Sequence, residues 1–306
     1  MSLDLGRVGL WTFAFDGQPA GLVRESAAEI EKLGFGALWF GEAAGREAFT
    51  QAALLLGATQ RMVVATGIAR VFWREPAAAV HAQLTLAEAY PDRFLLGLGG
   101  KIASDQQVIP RLIDRSGTPK PVSAMAGYLD AMDEAASAAE RLFSLPARPP
   151  RVLAALGPDM LRLAAERGWG AHPYLVPVEH TAAAREIVGP DAFLGVELGV
   201  VVEPDRAKAR DIARTNVGPY FAIARHHQNN MRRFGFAEAD FANGASDRLI
   251  DALVAGHTGR DPLEAIEKRV AEHLEAGADH VCLQVLTAGS GRIPLPEWRQ
   301  LAAIAG

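Results

Sequence analysis

The sequence predicts an α/β fold, a (β/α)8 TIM barrel. Eight short apolar runs, nearly all separated by helical segments, begin near residues 8, 37, 62, 94, 152, 171, 194 and 280. In addition, a helix that ends at a glycine passes directly into a strand three times, at Gly34, Gly168 and Gly277. Because the αβ loops of a barrel face equivalent surroundings, this repetition favours a closed barrel over an open doubly wound sheet. We expect residues 1–306 to form one domain.

In the first half of the chain, strands and helices alternate regularly. Val8–Phe13 is the first predicted strand, and Pro19 begins a helix whose apolar residues recur at helical spacing up to Gly34. Further helices are predicted over Glu47–Thr59 and Pro76–Ala89. Runs as continuously apolar as these suit parallel strands that are buried on both faces.

The middle of the chain contains a complete strand–helix–strand unit over Arg151–Val176. A glycine and a proline, Gly157 and Pro158, separate its first strand from its helix, and this turn presents free backbone N–H groups at a helix start. Such a turn is a potential phosphate site. Later helices are predicted over Thr181–Val188, Pro204–Arg214 and Pro296–Ile304, with strands over Phe193–Val202 and His280–Leu286.

Two segments depart from the alternation. Gly99–Pro121 is polar, rich in proline and follows strand four, so we expect an insertion or lid on the side where barrel active sites lie. Asn216–Gly259 contains extra helical material before strand eight, over Tyr220–Arg233 and Ser246–Ala255, and Ser246 is a suitable N-cap.

The composition bounds the kind of partner. The chain has 306 residues, of which 49% are hydrophobic and 22% charged, and its net charge is -5. Acidic and basic residues are mixed, so the sequence indicates neither nucleic acid nor a membrane as a partner. No apolar run approaches the roughly 20 residues that span a bilayer, and no secretory signal pattern begins the chain. We therefore expect a cytoplasmic protein.

A few residues suggest chemistry or its absence. Glu42 follows strand two, where a barrel places side chains over its mouth, so it is a candidate catalytic acid or base; the alternative is a surface acid paired with Arg46. Cys282 lies in an apolar run and is interpreted as a small buried side chain. His226 and His227 diverge by about 100° on a helix and have no matching acid, so we expect no metal site.

Several segments, taken in order, carry a resemblance to a known family. They are Leu38–Glu42, Met62–Ile68, Arg74–Pro76, Pro91–Gly99, Leu156–Pro158, Gly170–Leu175 and Ala276–Val281. This set resembles the luciferase-like flavin and deazaflavin oxidoreductases, and more closely their actinobacterial branch that uses coenzyme F420. The resemblance implies a single luciferase-like TIM-barrel domain that moves a hydride between coenzyme F420 and a small organic substrate. The alternatives are an FMN-dependent monooxygenase and a non-catalytic cofactor-binding paralogue.

The resemblance also implies a site for the cofactor's ring system. In the family, strand three carries a bulge with a non-prolyl cis peptide behind the central ring, and Gly67 and Ile68 match it, with Thr66 just before. Gly99 and Gly100 would shape the edge of the pocket. Without the resemblance, Gly67 reads as an ordinary glycine near a strand end.

Gly157, Pro158, Asp159 and Met160 match the family's phosphate loop, in which backbone N–H groups would be the donors. The charge of Asp159 opposes phosphate binding, and ordinary helix-start chemistry also explains the turn. Two residues of strand six, His172 and Tyr174, alternate with their neighbours, so both can point to one side. In the family this strand end lies near the cofactor's tail. A structural role is the alternative for His172.

The residues that follow strand four depart from the family pattern. Close relatives carry a Ser-His pair after the glycines of strand four, whereas Gly100 is followed here by Lys101 and Ile102. Lys101 could instead meet an anionic group. The family also suggests a homodimer, for which the alanine-rich segments Ala52–Ala58 and Ala77–Ala89 would allow close packing.

Overall fold

A closed ring of eight parallel strands forms the centre of the molecule. The computed structural model describes residues 3–43, 45–100, 121–256, 261–289 and 291–305. Its strands are β1 (Val8–Thr12), β2 (Ala37–Phe40), β3 (Val63–Thr66), β4 (Ala69–Arg70), β5 (Phe94–Gly99), β6 (Arg151–Leu153), β7 (Gly170–Ala171), β8 (Phe193–Val200), β9 (Val254–Ala255) and β10 (His280–Val285). The ring runs β1-β2-β3-β5-β6-β7-β8-β10 and closes because β10 pairs with both β8 and β1. The predicted (β/α)8 TIM barrel is therefore confirmed.

Two short strands, β4 and β9, extend this ring at its rim. β4 pairs with β5, and β9 pairs with β8, each over two residues. Neither was expected from the sequence, and the helix predicted over Ser246–Ala255 is wrong in its last two residues, which form β9. Two residues of extended chain are too short to give a period in the sequence.

Helices surround the barrel. They are α1 (Ala20–Lys32), α2 (Ala48–Leu56), α3 (Pro76–Ala89), α4 (Pro121–Ala139), α5 (Pro158–Arg167), α6 (Val178–Val188), α7 (Arg206–Ile223), α8 (Arg225–Arg232), α9 (Glu238–Phe241), α10 (Asp247–Leu253), α11 (Pro262–Glu275) and α12 (Leu295–Leu301). α4 was not predicted. The helix predicted over Tyr220–Arg233 is divided, because α7 continues through Pro219 to Ile223 and α8 starts afresh at Arg225.

The ends of these helices follow local chemistry. Ser246 caps α10 as predicted, because its Oγ accepts a hydrogen bond from Leu249 N at 3.1 Å. Gly34 and Gly277 have φ of 95° and 103°, the left-handed conformation that favours glycine after a helix. Gly168 is extended instead, and a Cβ there would lie 2.8 Å from Ala164 O. The repeated junction therefore shares one geometry at two of its three positions.

Three apolar clusters divide the core. The largest cluster lies between the strands and the surrounding helices, and a smaller one, which includes Trp11, Trp39 and Phe193, fills the barrel. The third cluster joins α7, α8, α9 and α10 to Leu175, Val201 and Leu286, which follow the carboxyl ends of β7, β8 and β10. The extra helices predicted before strand eight are therefore present, and they pack beside the carboxyl end of the barrel, where active sites of this fold lie.

Two expectations from the sequence bear on the rest of the chain. The predicted insertion or lid lies outside the described residues, apart from its ends. In the two alanine-rich segments, Ala52 is fully buried on α2, whereas Ala77 and Ala78 are exposed on α3. The homodimer stays a prediction, and only the outer face of α3 offers exposed alanines for it. Within the described parts of the chain, no helix is long and apolar enough to cross a membrane.

Candidate active site at the carboxyl end of the barrel

Glycine backbone forms one wall of the barrel mouth. The Gly67–Ile68 peptide is cis, as the family resemblance implied. A Cβ on Gly67 would overlap Trp11 Nε1 and lie 3.0 Å from His172 Nε2, and a Cβ on Gly41 would overlap the Phe13 ring. A side chain is therefore excluded at Gly41 and at Gly67, because the Phe13, Trp11 and His172 side chains pack directly against the backbone there.

The next strand continues this glycine wall. A Cβ on Gly99 would lie 2.8 Å from Ala154 Cβ and 2.9 Å from Ile68 Cγ1. Gly100 has φ of 130°, in the left-handed region that favours glycine. Gly99 thus lies against Ile68, and the role of Gly99 and Gly100 as a pocket edge stays a prediction. Lys101 and Ile102, where this sequence departs from the family, lie outside the described residues.

The side chain of Thr66 braces the bulge from behind. Its Oγ1 donates a hydrogen bond to Gly97 O and accepts one from Gly97 N, both at 2.8 Å, and the residue is fully buried. The hydroxyl is therefore committed to β5. The Thr66 side chain is therefore unavailable to a ligand. Thr66 can affect a ligand at Gly67 only by fixing the backbone position of that neighbouring residue.

Glu42 is a buried carboxylate with several partners. Its Oε1 accepts a hydrogen bond from Ala48 N at 2.9 Å and forms an ion pair with Arg74, and its Oε2 accepts one from Arg70 N at 2.7 Å. The alternative interpretation, a surface acid paired with Arg46, is wrong, because Arg46 donates to Gln18 O instead. Glu42 thus connects the start of α2 to β4, the short strand that follows Ile68. Its catalytic role stays a prediction.

His172 lies inside the barrel with one ring nitrogen unused. Its Nδ1 lies 2.8 Å from Gly195 O, which can only accept, so Nδ1 carries the hydrogen and Nε2 is an acceptor. The ring stacks on Trp39 with centroids 4.4 Å apart, and burial lowers the pKa of His172 to about 4. Among the described residues, neither His172 Nε2 nor the nearby Trp11 Nε1 has a hydrogen-bond partner.

Tyr174 faces the same interior, as the alternation along strand six predicted. Its ring lies 5.2 Å from that of Trp11, and its hydroxyl lies 2.9 Å from Gln284 Oε1 and 3.3 Å from the hydroxyl of Tyr220. Burial raises the pKa of Tyr174 well above its ordinary value, so the hydroxyl is neutral. Tyr174 therefore adds a neutral hydroxyl to the region that Trp11, Tyr220 and Gln284 line.

Glu197 is a candidate site residue that the sequence analysis missed. It lies on β8, is 1% exposed, and its Oε2 accepts a hydrogen bond from Leu175 N at 2.9 Å, while its Oε1 has no partner among the described residues. Burial raises its pKa to about 8. The available signal was that Glu197 is the single charged residue within the apolar strand Phe193–Val200.

The predicted phosphate turn begins α5. Gly157 is the N-cap with no side-chain cap, and a Cβ there would meet nothing within 4 Å, so the helix start is open. Asp159 forms an ion pair with Arg162 at 2.6 Å, which offsets the charge that opposes phosphate. Arg233 donates to Leu156 O at 3.2 Å and brings a cation to the turn. Pro158 and Met160 occupy the first turn of the same helix.

Two features of the sequence bear on metal binding, the single cysteine and the pair His226 and His227. Cys282 is fully buried within β10, as predicted. In the described ranges of the chain, no group of three or more His, Cys, Asp or Glu side chains is arranged to hold a metal ion.

The strands and helices define a (β/α)8 barrel protein. The sequence profile of the luciferase-like monooxygenase family matches residues 7–280. The chain belongs to this family, as the resemblance in the sequence indicated.

Individual relatives with named cofactors fall into two groups. A protein of Mycobacterium tuberculosis, described by name alone as a coenzyme F420-dependent oxidoreductase, is 26% identical over 97% of this chain and 98% of its own. The structure of an F420-dependent secondary alcohol dehydrogenase with an F420-acetone adduct has a TM-score of 0.68 at 16% identity, covering 98% of this chain and 99% of that one. The FMN complex of the oxygenating constituent of 3,6-diketocamphane monooxygenase, from the CAM plasmid of Pseudomonas putida, has a TM-score of 0.70 at 15% identity, covering 98% and 97%.

Proposed function

We propose that this chain is an oxidoreductase that binds coenzyme F420 at the barrel mouth and moves a hydride between it and a small organic substrate. The observation that carries the proposal is the glycine wall at Gly67, which faces two buried and unpartnered polar atoms, Trp11 Nε1 and His172 Nε2. Buried polar atoms without partners are costly, so a ligand that supplies partners gains affinity. The Mycobacterium tuberculosis relative named for F420 supports the choice of cofactor.

The residues at the mouth fit a planar ring system with a polar edge. Gly67 and Ile68 would support the ring from the β3 side, with Gly99 and Gly100 at the pocket edge. The aromatic rings of Trp11 and Tyr174 lie 5.2 Å apart inside the barrel and exclude water from this end.

A second region fits the phosphate of such a cofactor. The open N-terminus of α5 supplies backbone N–H groups at Asp159 and Met160, and the helix dipole favours an anion there. Arg233 adds a positive charge beside the same turn. The ion pair of Asp159 with Arg162 leaves the turn without an uncompensated negative charge.

The chain's own groups would orient the substrate and control its protons. When bound, the deazaflavin supplies or accepts the hydride. The neutral hydroxyl of Tyr174, connected to Gln284 and Tyr220, can hydrogen-bond a substrate oxygen. Glu42, whose oxygens are already paired with Arg74 and backbone N–H groups, would hold the wall in place.

A second candidate function is an FMN-dependent monooxygenase, favoured by the likeness to the FMN-bound barrel from Pseudomonas putida. Fluorescence titration of the purified full-length chain with each cofactor separates the two. We expect F420 to bind at least about tenfold more tightly than FMN, a difference of about 1.4 kcal/mol. Tight FMN binding with no response to F420 would support the monooxygenase. Binding of neither cofactor would support a non-catalytic paralogue.

A further inference from the structure

Among the described residues, no cation pairs with the carboxyl group of Glu197, which lies inside the barrel. Glu197 projects from β8 into the interior, and its only hydrogen bond among the described residues joins Oε2 to Leu175 N at 2.9 Å. An ionised carboxylate that is buried without a cation is strongly disfavoured, so a group in this position remains a neutral acid. Its pKa of about 8, raised by burial, agrees with this geometry.

The titratable groups that face Glu197 come from three other parts of the fold. They are Tyr174 after β7, Tyr220 on α7 and Cys282 on β10. Burial raises the pKa of each, and the nearby Glu197 carboxyl adds to the rise. All three are uncharged at neutral pH. The charge of Arg70 lowers the pKa of Tyr220. Burial raises the pKa of Glu197, and the hydrogen bond from Leu175 N lowers it.

The single hydrogen bond of Glu197 reaches a demanding backbone position. Leu175 has φ of 53°, a left-handed conformation that is uncommon for a residue with a side chain and that persists where surrounding contacts impose it. Leu175 directly follows Tyr174, whose hydroxyl meets Gln284 and Tyr220 at the mouth. The contact from Glu197 therefore fixes the turn that determines where the Tyr174 hydroxyl lies.

We propose that Glu197 is a positioning residue for ligand binding, which in its neutral form holds the Leu175 amide and so presents the Tyr174 hydroxyl at the barrel mouth. The ligand part of this proposal rests on the proposed binding of coenzyme F420. Ionisation of Glu197 would place a negative charge beneath Tyr174 with no cation to balance it. The turn at Leu175 would then have to move or admit water, and the ligand would lose its contact with the Tyr174 hydroxyl.

The proposal predicts that ligand affinity depends on the protonation of Glu197. If only the neutral form binds well, the apparent Kd rises as the neutral fraction falls, by about tenfold per pH unit above the pKa. Glu197→Gln cannot ionise and keeps an oxygen that can accept from Leu175 N, so its affinity should match the wild type near neutral pH and stay constant at higher pH. Glu197→Ala removes the acceptor and should bind weakly throughout.

The test measures the Kd of coenzyme F420 by fluorescence from about pH 6 to about pH 9.5 for the wild type and both variants. We expect a loss of about tenfold or more in the wild type, with its onset near pH 8, and none in Glu197→Gln. The glutamine variant also controls for titration of the ligand itself. The same alkaline loss in Glu197→Gln would overturn the proposal.

A second measurement needs no cofactor. Infrared difference spectra of the ligand-free protein should contain the C=O band of a protonated carboxyl at about pH 6, which disappears as Glu197 ionises near pH 8 and is missing in Glu197→Gln. Absence of that band in the wild type would overturn the neutral-acid assignment even if F420 binds. Failure of the wild type to bind F420 at any pH would instead overturn the proposed function, and with it the ligand part of this proposal.

Discussion

The two ends of the barrel interior are equally buried but differ in how their polar atoms are used. At the amino end, His280 accepts a hydrogen bond from Trp39 Nε1 at 3.1 Å and donates one to Gly6 O at 2.8 Å, so both ring nitrogens are paired. Towards the carboxyl end, Trp11 Nε1, His172 Nε2 and Glu197 Oε1 have no partner among the described residues.

Burial alone therefore does not account for the unpaired atoms at the mouth. His172 and His280 are both buried and both have a pKa lowered to about 4, yet only His280 uses both of its nitrogens. Unpaired buried polar atoms reduce stability, and the three at this end of the barrel interior retain hydrogen-bonding capacity for a ligand. The paired polar atoms at the amino end stabilise the fold, whereas the unpaired polar atoms at the carboxyl end reduce its stability.

The largest expected effect comes from filling the glycine wall. In Gly67→Val, the added Cβ overlaps Trp11 Nε1 and crowds His172 Nε2, so the surface for the ring is lost. We expect F420 affinity to fall by about 100-fold or more, which corresponds to about 2.7 kcal/mol. Fluorescence titration measures the change. Equal binding by Gly67→Val and the wild type would show that the ring site lies elsewhere.

Gly21→Ala is the matched control for that substitution. Gly21 lies in α1, is exposed, and a Cβ there would meet nothing within 4 Å. Alanine is the better helix former, so the variant should fold at least as stably as the wild type and bind F420 unchanged. Near-ultraviolet circular dichroism of both variants distinguishes a blocked site from a lost fold.

The sequence was sufficient for the barrel because each strand is a short apolar run set off by a helix. It did not identify the partners of buried carboxylates. Glu42 is paired with Arg74, 32 residues away, and their contact depends on the path of the chain through the bulge and β4. Glu197 was overlooked because an acid in an apolar strand can point outwards or inwards, and only the closed ring decides which.

The cis peptide at Gly67–Ile68 was predictable for a different reason. Local chemistry favoured an ordinary glycine near a strand end, and only the family resemblance indicated the cis bond that the structure contains. The role of these residues in binding a cofactor stays a prediction. The partners that keep Gly67 free of a side chain are Trp11 and His172, which come from β1 and the segment after β7, three strands apart in the ring. Contacts of this kind require the three-dimensional fold.

A pair of histidine variants tests the difference between the two ends. His280→Leu leaves the buried Trp39 Nε1 without a partner, which costs about 1–3 kcal/mol, and removes the hydrogen bond to the exposed Gly6, which costs about 0.5–1.5 kcal/mol more. His172→Leu leaves only Gly195 O unpaired and also removes an unpaired nitrogen, so we expect a loss of about 1–3 kcal/mol. Urea denaturation measures both free energies of unfolding.

Ligand binding should show the opposite order in these two variants. His172→Leu removes an acceptor at the glycine wall, so F420 affinity should fall by about tenfold. His280→Leu should bind F420 as the wild type does, provided it is measured below its unfolding transition. A larger stability loss in His172→Leu than in His280→Leu would contradict the division between a stabilising end and a binding end.

The smallest expected effect concerns the phosphate turn, at the edge of the mouth. Arg233→Gln removes the cation beside Leu156 and Gly157, and because the side chain is exposed, solvent and salt weaken its attraction to phosphate. We expect F420 affinity to fall by about threefold to tenfold at low salt and by less at high salt. Arg232→Gln is the control, because Arg232 precedes it on the same helix end but pairs with Glu238 and Asn229. An equal loss in both variants, or a loss that salt does not reduce, would mean that Arg233 acts through the fold of α8 rather than through its charge.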